Sequence, residues 1–339
     1  MRRRSGRIGL AVWSLLLAGS FEVQAQVPGL EGTLVIVNKG EASVSVVDVS
    51  SGRELTRLPT GEGPHEVALS PDGTTAVITD YGGRSAGRSL TVVDLPSLKV
   101  ARTIDLGFHE RPHGIAFLSD SIRVVVTSES TRSVIVVNVV TGEVTDVLPT
   151  SQDGSHMLAL PVPEAAVWTS NIRDGTVSEI DIGSASTSRI LAVAQQPEAI
   201  GVTPDGAELW VGSNAAGSVS LVNTTDGTVT VALEGFRWPY RVVFTPDGTK
   251  ALIPDLRAEE LVIVDRASRE ELHRIELTGG APQGVTVTPD GLTAFQSLSA
   301  RGEVLAVDLE SGEIRGHLPA GTGPDGIAFS SIVIESTRP

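Results

Sequence analysis

Short runs of alternating apolar and polar residues fill most of the chain, and a turn that usually contains proline interrupts them at regular intervals. After one such turn, Val67 to Leu69, residues 75–79 and residues 90–94 have the pattern of three successive strands, and residues 99–106 have that of an outer strand in which apolar and polar residues alternate. Alternation with a period of two residues and frequent Val, Ile and Thr predict β-strands separated by tight turns. The pattern therefore predicts units of four short strands.

The turn occurs seven times at a nearly constant spacing. Successive copies are separated by 48, 43, 42, 42, 43 and 42 residues, counted between Pro64, Pro112, Ser155, Pro197, Pro239, Pro282 and Pro324. A repeat in the low forties with four strands per unit is typical of a β-propeller blade. The sequence thus predicts an all-β, seven-bladed β-propeller with four antiparallel strands per blade and repeats over roughly residues 33–330.

The two ends of the repeat region predict how the ring closes. Residues 34–37 have the pattern of a second strand, and residues 326–329 have that of an inner strand. We therefore expect the N-terminal strands to pair with the C-terminal inner strand and to complete the seventh blade. This closure leaves no open sheet edge, which would otherwise invite aggregation.

Residues 1–25 have the features of a secretory signal peptide. A basic segment (Arg2 to Arg7) precedes an apolar one (Ile8 to Phe21), and Val23-Gln24-Ala25 resembles a cleavage site. The apolar segment is too short for a membrane span. We expect a periplasmic or secreted protein, with no integral membrane segment after cleavage and a single domain over residues 26–339.

The charge and cysteine content exclude several classes of function. Removing four arginines and Glu22 with the signal segment leaves 22 of the 26 basic and 40 of the 41 acidic residues, a net charge of −18. So acidic a protein repels phosphate backbones, and we expect no nucleic-acid partner. The chain has no cysteine, which excludes disulfides, thiolate metal sites and covalent haem attachment through cysteine.

The repeats resemble those of the YVTN-repeat β-propeller family. The resemblance is clearest in residues 246–253, which read PDGTKALI, and in the preceding residues 238–242, which read WPYRV. It extends over all seven units and implies the propeller fold. Members of this family are mostly described as exported or surface proteins, so the resemblance implies export but no particular activity.

One position of the repeat varies in a way that suggests chemistry. The residue after the proline, or its equivalent, is in turn His65, His113, His156, Glu198, Tyr240, Gln283 and Asp325. Equivalent positions of a propeller surround the mouth of its central channel. His65, His113, His156 and Glu198 are therefore candidate ligands for a divalent metal such as Zn, Cu, Fe or Mg. The alternative is that these histidines form a polar channel lining without a metal.

Other polar and aromatic residues are expected on the same face. Candidate ligand-binding residues are Trp238, Tyr240, Arg241, Gln283 and Asp325, together with Arg84 and Arg88 in a loop insertion. The two arginines either bind an anion or are merely solvated, and Trp238 either stacks on a ligand or packs on the next blade. The ends of the second strands add Asn38, Asp80, Ser128, Glu129, Asn171, Asn214 and Asp255.

Two functions are consistent with these features. The first is an exported scaffold that binds an unknown small molecule or protein through the channel-mouth face. The second is a metal-dependent lyase or hydrolase with the three-histidine site. In that case Glu198 would be a fourth ligand or a general base, and Tyr240 or Arg241 would stabilise developing negative charge.

Overall fold

The computed structural model describes residues 27, 29–161, 163–164 and 166–334 of the 339-residue chain. Within these ranges the chain forms seven antiparallel sheets of four strands each, arranged in a ring. This confirms the predicted all-β, seven-bladed propeller. The predicted signal peptide, residues 1–25, lies outside the described residues.

The strands have the following bounds in chain order. The first fourteen are β1 Thr33–Asn38, β2 Ser43–Asp48, β3 Arg53–Pro59, β4 Pro64–Leu69, β5 Thr75–Gly82, β6 Ala86–Asp94, β7 Lys99–Asp105, β8 Pro112–Phe117, β9 Arg123–Ser128, β10 Ser133–Asn138, β11 Glu143–Pro149, β12 Ser155–Ala159, β13 Ala166–Asn171 and β14 Thr176–Asp181. The others are β15 Ser186–Ala192, β16 Pro197–Val202, β17 Glu208–Ser213, β18 Ser218–Asn223, β19 Val229–Glu234, β20 Val243–Phe244, β21 Lys250–Asp255, β22 Glu260–Asp265, β23 Glu271–Glu276, β24 Pro282–Val287, β25 Thr293–Leu298, β26 Glu303–Asp308, β27 Ile314–Pro319 and β28 Pro324–Ser330.

Both ends of the described chain meet in one blade. We number the blades 1 to 7 by their inner strands β4, β8, β12, β16, β20, β24 and β28. In blade 7 the strand order is β28-β1-β2-β3, and β1 pairs antiparallel with β28, with Leu34 opposite Phe329 and Ile36 opposite Ile327. The predicted closure is confirmed. The ring therefore depends on a pairing between the two ends of the repeat region.

The hydrophobic core lies between neighbouring blades. All six residues of β1 and of β2 are buried, because adjacent blades cover both faces of these strands. One cluster, for example, joins Val77 and Leu90 of blade 1 to Phe117 and Val126 of blade 2. The outermost strands have one solvated face, and β15 accordingly alternates between exposed and half-buried residues. This packing fixes the positions of the inner strands around the axis.

The inner strands share an irregularity that matters for the channel. In β4 the pairing with β5 shifts register between Pro64 and Val67, so that one extra residue lies in the inner strand. The same shift occurs at the start of β8, β12, β16 and β24, and in the pairing of β28 with β1. A bulge of this kind re-aims side chains that simple alternation would place on opposite faces. Two consecutive residues of each inner strand can therefore approach the axis.

No helix in the part of the chain that the structure describes is long and apolar enough to cross a membrane.

Candidate functional site

Seven side chains occupy the equivalent position of the seven blades, next to the start of the inner strand. We call them the mouth ring; they are His65, His113, His156, Glu198, Tyr240, Gln283 and Asp325. Neighbouring imidazoles stack on one another, with ring centroids 4.4 Å apart for His65 and His113 and 3.8 Å apart for His113 and His156. The Tyr240 hydroxyl donates to Asp325 Oδ1 at 3.4 Å, across the position of blade 6. The structure thus brings the three predicted histidines together on three consecutive blades.

His156 is held between two carboxylates. Its Nδ1 lies 2.6 Å from Glu129 Oε1, and its Nε2 lies 3.9 Å from Glu198 Oε1. Burial lowers the pKa of His156, but the hydrogen bond to Glu129 and the negative charges of Glu129 and Glu198 outweigh this effect and raise the pKa to about 9. The pKa of Glu198 is lowered: burial acts to raise it, and His156 and Asn214 act more strongly in the opposite direction. His156 is therefore an imidazolium at neutral pH.

His65 and His113 differ from His156 in their surroundings. Burial is the largest cause that lowers the pKa of both imidazoles, and for His113 neighbouring positive charges add to it. His113 Nδ1 lies 3.2 Å from the thioether sulfur of Met157. His65 Nδ1 lies 2.8 Å from Asp325 Oδ2, but the approach is off the line of a hydrogen bond, and neither atom has such a partner among the described residues. Both imidazoles are neutral at pH 7.

An ion pair crosses the channel below the mouth ring. The Arg241 guanidinium of blade 5 binds the Glu66 carboxylate of blade 1 and donates from Nη1 to the Tyr240 carbonyl at 2.8 Å. Burial raises the pKa of Glu66 to about 7, although the charge of Arg241 opposes this. The Arg241 side chain is 6% exposed and that of Glu66 is 13% exposed, so the pair is nearly closed to solvent. Together these side chains form the floor of the mouth.

Asp325 connects the ion pair to the histidines. Its carboxylate is fully buried and lies 4.0 Å from Arg241 Nη2 and 3.6 Å from Lys39 Nζ. Burial acts to raise the pKa of Asp325, but His65, Lys39 and Arg241 hold it at about 2. Asp325 is therefore an anion over the whole physiological range, and it lies between two cations, Lys39 of its own blade and Arg241 of blade 5.

A second set of side chains stands above the mouth ring. It comes from the residue that follows each second strand or, in blade 1, its equivalent, and includes Lys39, Tyr81, Glu129 and Asn214. The Tyr81 ring packs edge-on against His65 and His113, with centroids 5.0 and 5.4 Å away. Its hydroxyl donates to Glu129 Oε2 at 3.1 Å, and Asn214 Nδ2 donates to Glu198 Oε2. These residues complete the walls of the mouth.

Two residues at or near the ends of second strands serve the scaffold instead. Asp80 accepts hydrogen bonds from the Gly61 amide at 3.0 Å and the Ser89 hydroxyl at 2.7 Å. Asp255 accepts from the Trp238 amide at 2.9 Å. Of the second-strand residues predicted for this face, Glu129 and Asn214 therefore contact the mouth ring, whereas Asp80 and Asp255 hold neighbouring loops in place.

The other predicted ligand-binding residues occupy varied positions. Trp238 donates from Nε1 to Glu198 Oε2 at 3.0 Å, and the Arg257 guanidinium lies 4.1 Å from the centre of its ring. Gln283 has a buried Oε1 without a hydrogen-bond partner in the described residues. Arg84 is exposed, and so is Arg88, whose Nε lies 3.5 Å from Asp105 Oδ1. Trp238 thus contacts the mouth ring, Gln283 is half-buried, and the two arginines are exposed.

One group of side chains in the described residues has the spacing of metal ligands. His65, Glu66 and His113 each offer a donor atom, and these atoms all lie within 4.8 Å of one another. His156 and Glu198, the other two residues of the predicted ligand set, are outside this group. The inner-strand bulge explains why Glu66 escaped prediction, because strict alternation would point it away from His65. The signal that could have found it is the acidic residue next to a ring histidine.

Comparison with known proteins agrees with the fold. The profile of the YNCE-like beta-propeller family matches residues 128–330, which is more than half of the chain. The chain belongs to the YNCE-like beta-propeller family. This bears out the resemblance to YVTN-repeat propellers. None of the curated proteins matches the sequence.

Solved structures similar to this YNCE-like propeller come from proteins of varied function. Kuenenia stuttgartiensis hydrazine synthase matches with a TM-score of 0.72 and 19% identity over 83% of this chain and 93% of that one. Dihydro-heme d1 dehydrogenase NirN in complex with DHE matches with a TM-score of 0.63 and 17% identity over 89% and 76% of the two chains. A functionally unknown protein from Desulfotomaculum acetoxidans DSM 771 matches with a TM-score of 0.73 and 14% identity over 90% and 100%. At these identities the similarity shows the fold alone.

Proposed function

We propose that this YNCE-like propeller is an exported scaffold that binds a ligand or protein partner through its channel-mouth face. The observation that carries the proposal is the set of buried charged side chains at the mouth. Glu66, Arg241 and Asp325 are nearly or fully removed from water, and their charged groups lie close together at one place in the fold. Burying ions costs more free energy than packing apolar residues of similar size, so stability alone does not account for them. Binding does.

The surroundings of the mouth support the same proposal. Two cation–π pairs frame it: Arg111 lies 4.7 Å from the centre of the Tyr81 ring, and Arg257 lies over Trp238. Such pairs present a flat, partly apolar and partly charged surface to an incoming partner. Phe108, in a loop on the same face, is 75% exposed and adds an aromatic contact.

A metal-dependent lyase or hydrolase is the second candidate, favoured by the group of His65, Glu66 and His113. It fits the contacts less well. The Tyr240 hydroxyl already donates to Asp325, and Arg241 already binds Glu66. The two groups expected to stabilise a developing negative charge are thus engaged with carboxylates, which favours the scaffold.

The stability of a variant with an apolar floor tests the proposal. Replacing both members of the cross-channel pair, as Glu66→Met with Arg241→Met, should leave the melting temperature unchanged or raise it, because the cost of burying the two ions disappears. The single variant Arg241→Met is the control, and it should destabilise the fold by leaving Glu66 buried without its partner. If the double variant is destabilised as strongly as the single one, the ion pair serves the fold and the proposal fails.

Export is the second part of the proposal. The basic and apolar segments of residues 1–25 support cleavage after Ala25 and release into the periplasm or the medium. Mass spectrometry of the exported protein should give a mature chain that begins at Gln26. A chain that retains residues 1–25 would contradict this part.

A further inference from the structure

We propose that His65, Glu66 and His113 bind one divalent transition-metal ion on the axis of the propeller. The inference rests on the proposed binding role of the channel mouth and names the class of ligand. It differs from the set expected from the repeat pattern, because Glu66 replaces Glu198 and His156 is not a ligand.

The distances suit a single ion. The donor atoms of the three residues lie within 4.8 Å of one another. Zinc–nitrogen bonds of about 2.0–2.1 Å in a tetrahedral site place two donors about 3.4 Å apart. Closing the difference of about 1.4 Å needs only side-chain rotations, because the three residues come from two adjacent inner strands that the blades hold in place. Two imidazoles and a carboxylate are a common ligand set for zinc and for iron(II).

The contacts of the two imidazoles orient them for ligation. The sulfur of Met157 lies 3.2 Å from His113 Nδ1 and accepts a weak hydrogen bond when that nitrogen carries the proton. Asp325 Oδ2 lies 2.8 Å from His65 Nδ1, and although the approach is off the line of a hydrogen bond, its negative charge favours the proton on that nitrogen. In both rings the Nε2 lone pair is then available to a metal. A carboxylate behind a ligating histidine is a recurrent arrangement in metal sites, where it fixes the tautomer and raises the basicity of the ligand.

The ion pair at the floor can release Glu66 to a metal. Without a metal ion the site has two negative charges and two positive ones that balance them. The negative charges are those of Glu66 and Asp325, and the positive charges are those of Arg241 and Lys39. When a metal takes Glu66, the guanidinium of Arg241 has a second acceptor within reach, since its Nη2 is 4.0 Å from Asp325 Oδ1. A small rotation of Arg241 therefore frees Glu66 without leaving an unpaired buried charge.

The contacts of His156 exclude it as a ligand. Its Nδ1 is engaged by Glu129 at 2.6 Å, and its Nε2 faces Glu198 at 3.9 Å, so both ring nitrogens point toward carboxylates. Its ring stacks on His113 at 3.8 Å. We assign His156 a positioning role: it packs against the face of His113 and keeps that ring in the orientation a metal needs.

Titration of metal-free protein with Zn(II), followed by calorimetry at pH 7.5, tests the ligand set. Wild type should bind one ion per chain, and Mg(II) should not compete, because imidazole is a poor ligand for magnesium. His65→Gln, His113→Gln and Glu66→Gln should each weaken binding by about 30-fold or more, since a ligand matters at least as much as its outer-shell partners. His317→Gln, at an exposed histidine on β27, is the matched control and should bind as wild type does.

The variant His156→Gln decides between the two ligand sets. We expect it to bind Zn(II) within about 10-fold of wild type, the lower end of the range for outer-shell residues. A loss equal to that of His113→Gln overturns the ligand set proposed here. Co(II) absorption provides a second readout: the ligand variants should lose the visible bands of a low-coordinate site, whereas His156→Gln should keep them. Circular dichroism of each variant shows whether the fold is intact.

Absence of one-to-one Zn(II) binding by wild type overturns the metal site but leaves the scaffold proposal standing. That proposal depends on the stability of the variant in which Glu66 and Arg241 are both replaced by Met, measured without metal. The two proposals therefore fail on different measurements.

Discussion

Replacing Asp80 with asparagine should stabilise the protein. Asp80 is buried near the end of β5, and this burial raises its pKa from 3.8 to about 6, although Ser89, Thr91 and the Gly61 amide all donate to it. Because the folded state holds this proton more tightly than the unfolded state, the free energy of unfolding falls as the pH rises from 3.8 to about 6. At about 1.36 kcal/mol per pKa unit, ionising Asp80 costs about 3 kcal/mol at pH 7 and about 1 kcal/mol at pH 4.5.

Another blade shows that asparagine fits this position. Asn38 is the equivalent residue of blade 7, where its Oδ1 accepts from the Gly321 amide at 2.8 Å. Its Nδ2 donates to the hydroxyls of Ser43 and Ser45 at 3.0 and 2.8 Å. In Asp80→Asn, the hydroxyls that now donate to the carboxylate would rotate and accept in the same way. The substitution therefore removes a buried charge while it keeps every hydrogen bond.

Asp255→Asn is the matched control. The carboxylate of Asp255 accepts from three backbone amides, those of Arg237, Trp238 and Ala258, and uses both oxygens to do so. An asparagine there turns one acceptor into a donor that faces an amide, so this variant should be destabilised by about 1–3 kcal/mol. The same substitution thus has opposite signs at two equivalent positions.

Urea denaturation at pH 7 and pH 4.5 measures these effects. Asp80→Asn should raise the free energy of unfolding by up to about 3 kcal/mol at pH 7 and by about 1 kcal/mol at pH 4.5. Asp255→Asn should lower it at pH 7. A destabilised Asp80→Asn variant, or a gain that does not shrink at the lower pH, would refute the reasoning about the buried charge.

Two further predictions concern the ring itself. Deleting residues 33–37 should greatly reduce stability or solubility, because β28 would lose its partner, and unchanged thermal melting would contradict the closure of blade 7. Gly326→Ala should cost about 1–3 kcal/mol in urea denaturation, because a Cβ there would lie 2.5 Å from the His65 carbonyl oxygen. Gly183→Ala, whose Cβ would have its nearest neighbour at 3.6 Å, should stay within about 0.5 kcal/mol, and equal losses in both would falsify the crowding argument.

The sequence by itself determined the architecture. The alternation of apolar and polar residues predicts units of four short strands. Seven such units at nearly constant spacing allow few arrangements other than a ring of blades. The strand patterns at the two ends then determine the closure, since an inner strand without outer strands needs those of the N-terminus. The same repeat identified the mouth ring, because equivalent positions of a symmetric fold occupy equivalent places around its axis. For this reason His65, His113 and His156 were found without a structure.

Which side chains meet at the mouth follows from the packing of the blades and could not be predicted from the repeat. Glu66 and Arg241 are 175 residues apart and pair across the channel, and no local pattern predicts a contact of that kind. The bulge at the start of the inner strands turns Glu66 toward the axis, against the alternation that the sequence suggests. The contact between Glu129 and His156 likewise depends on the register of the strand, because a shift of one residue would put Ser128 in the place of Glu129. Repeat symmetry gives the position of a residue on the ring, whereas side-chain pairing depends on a bulge and a register that only the packed blades define.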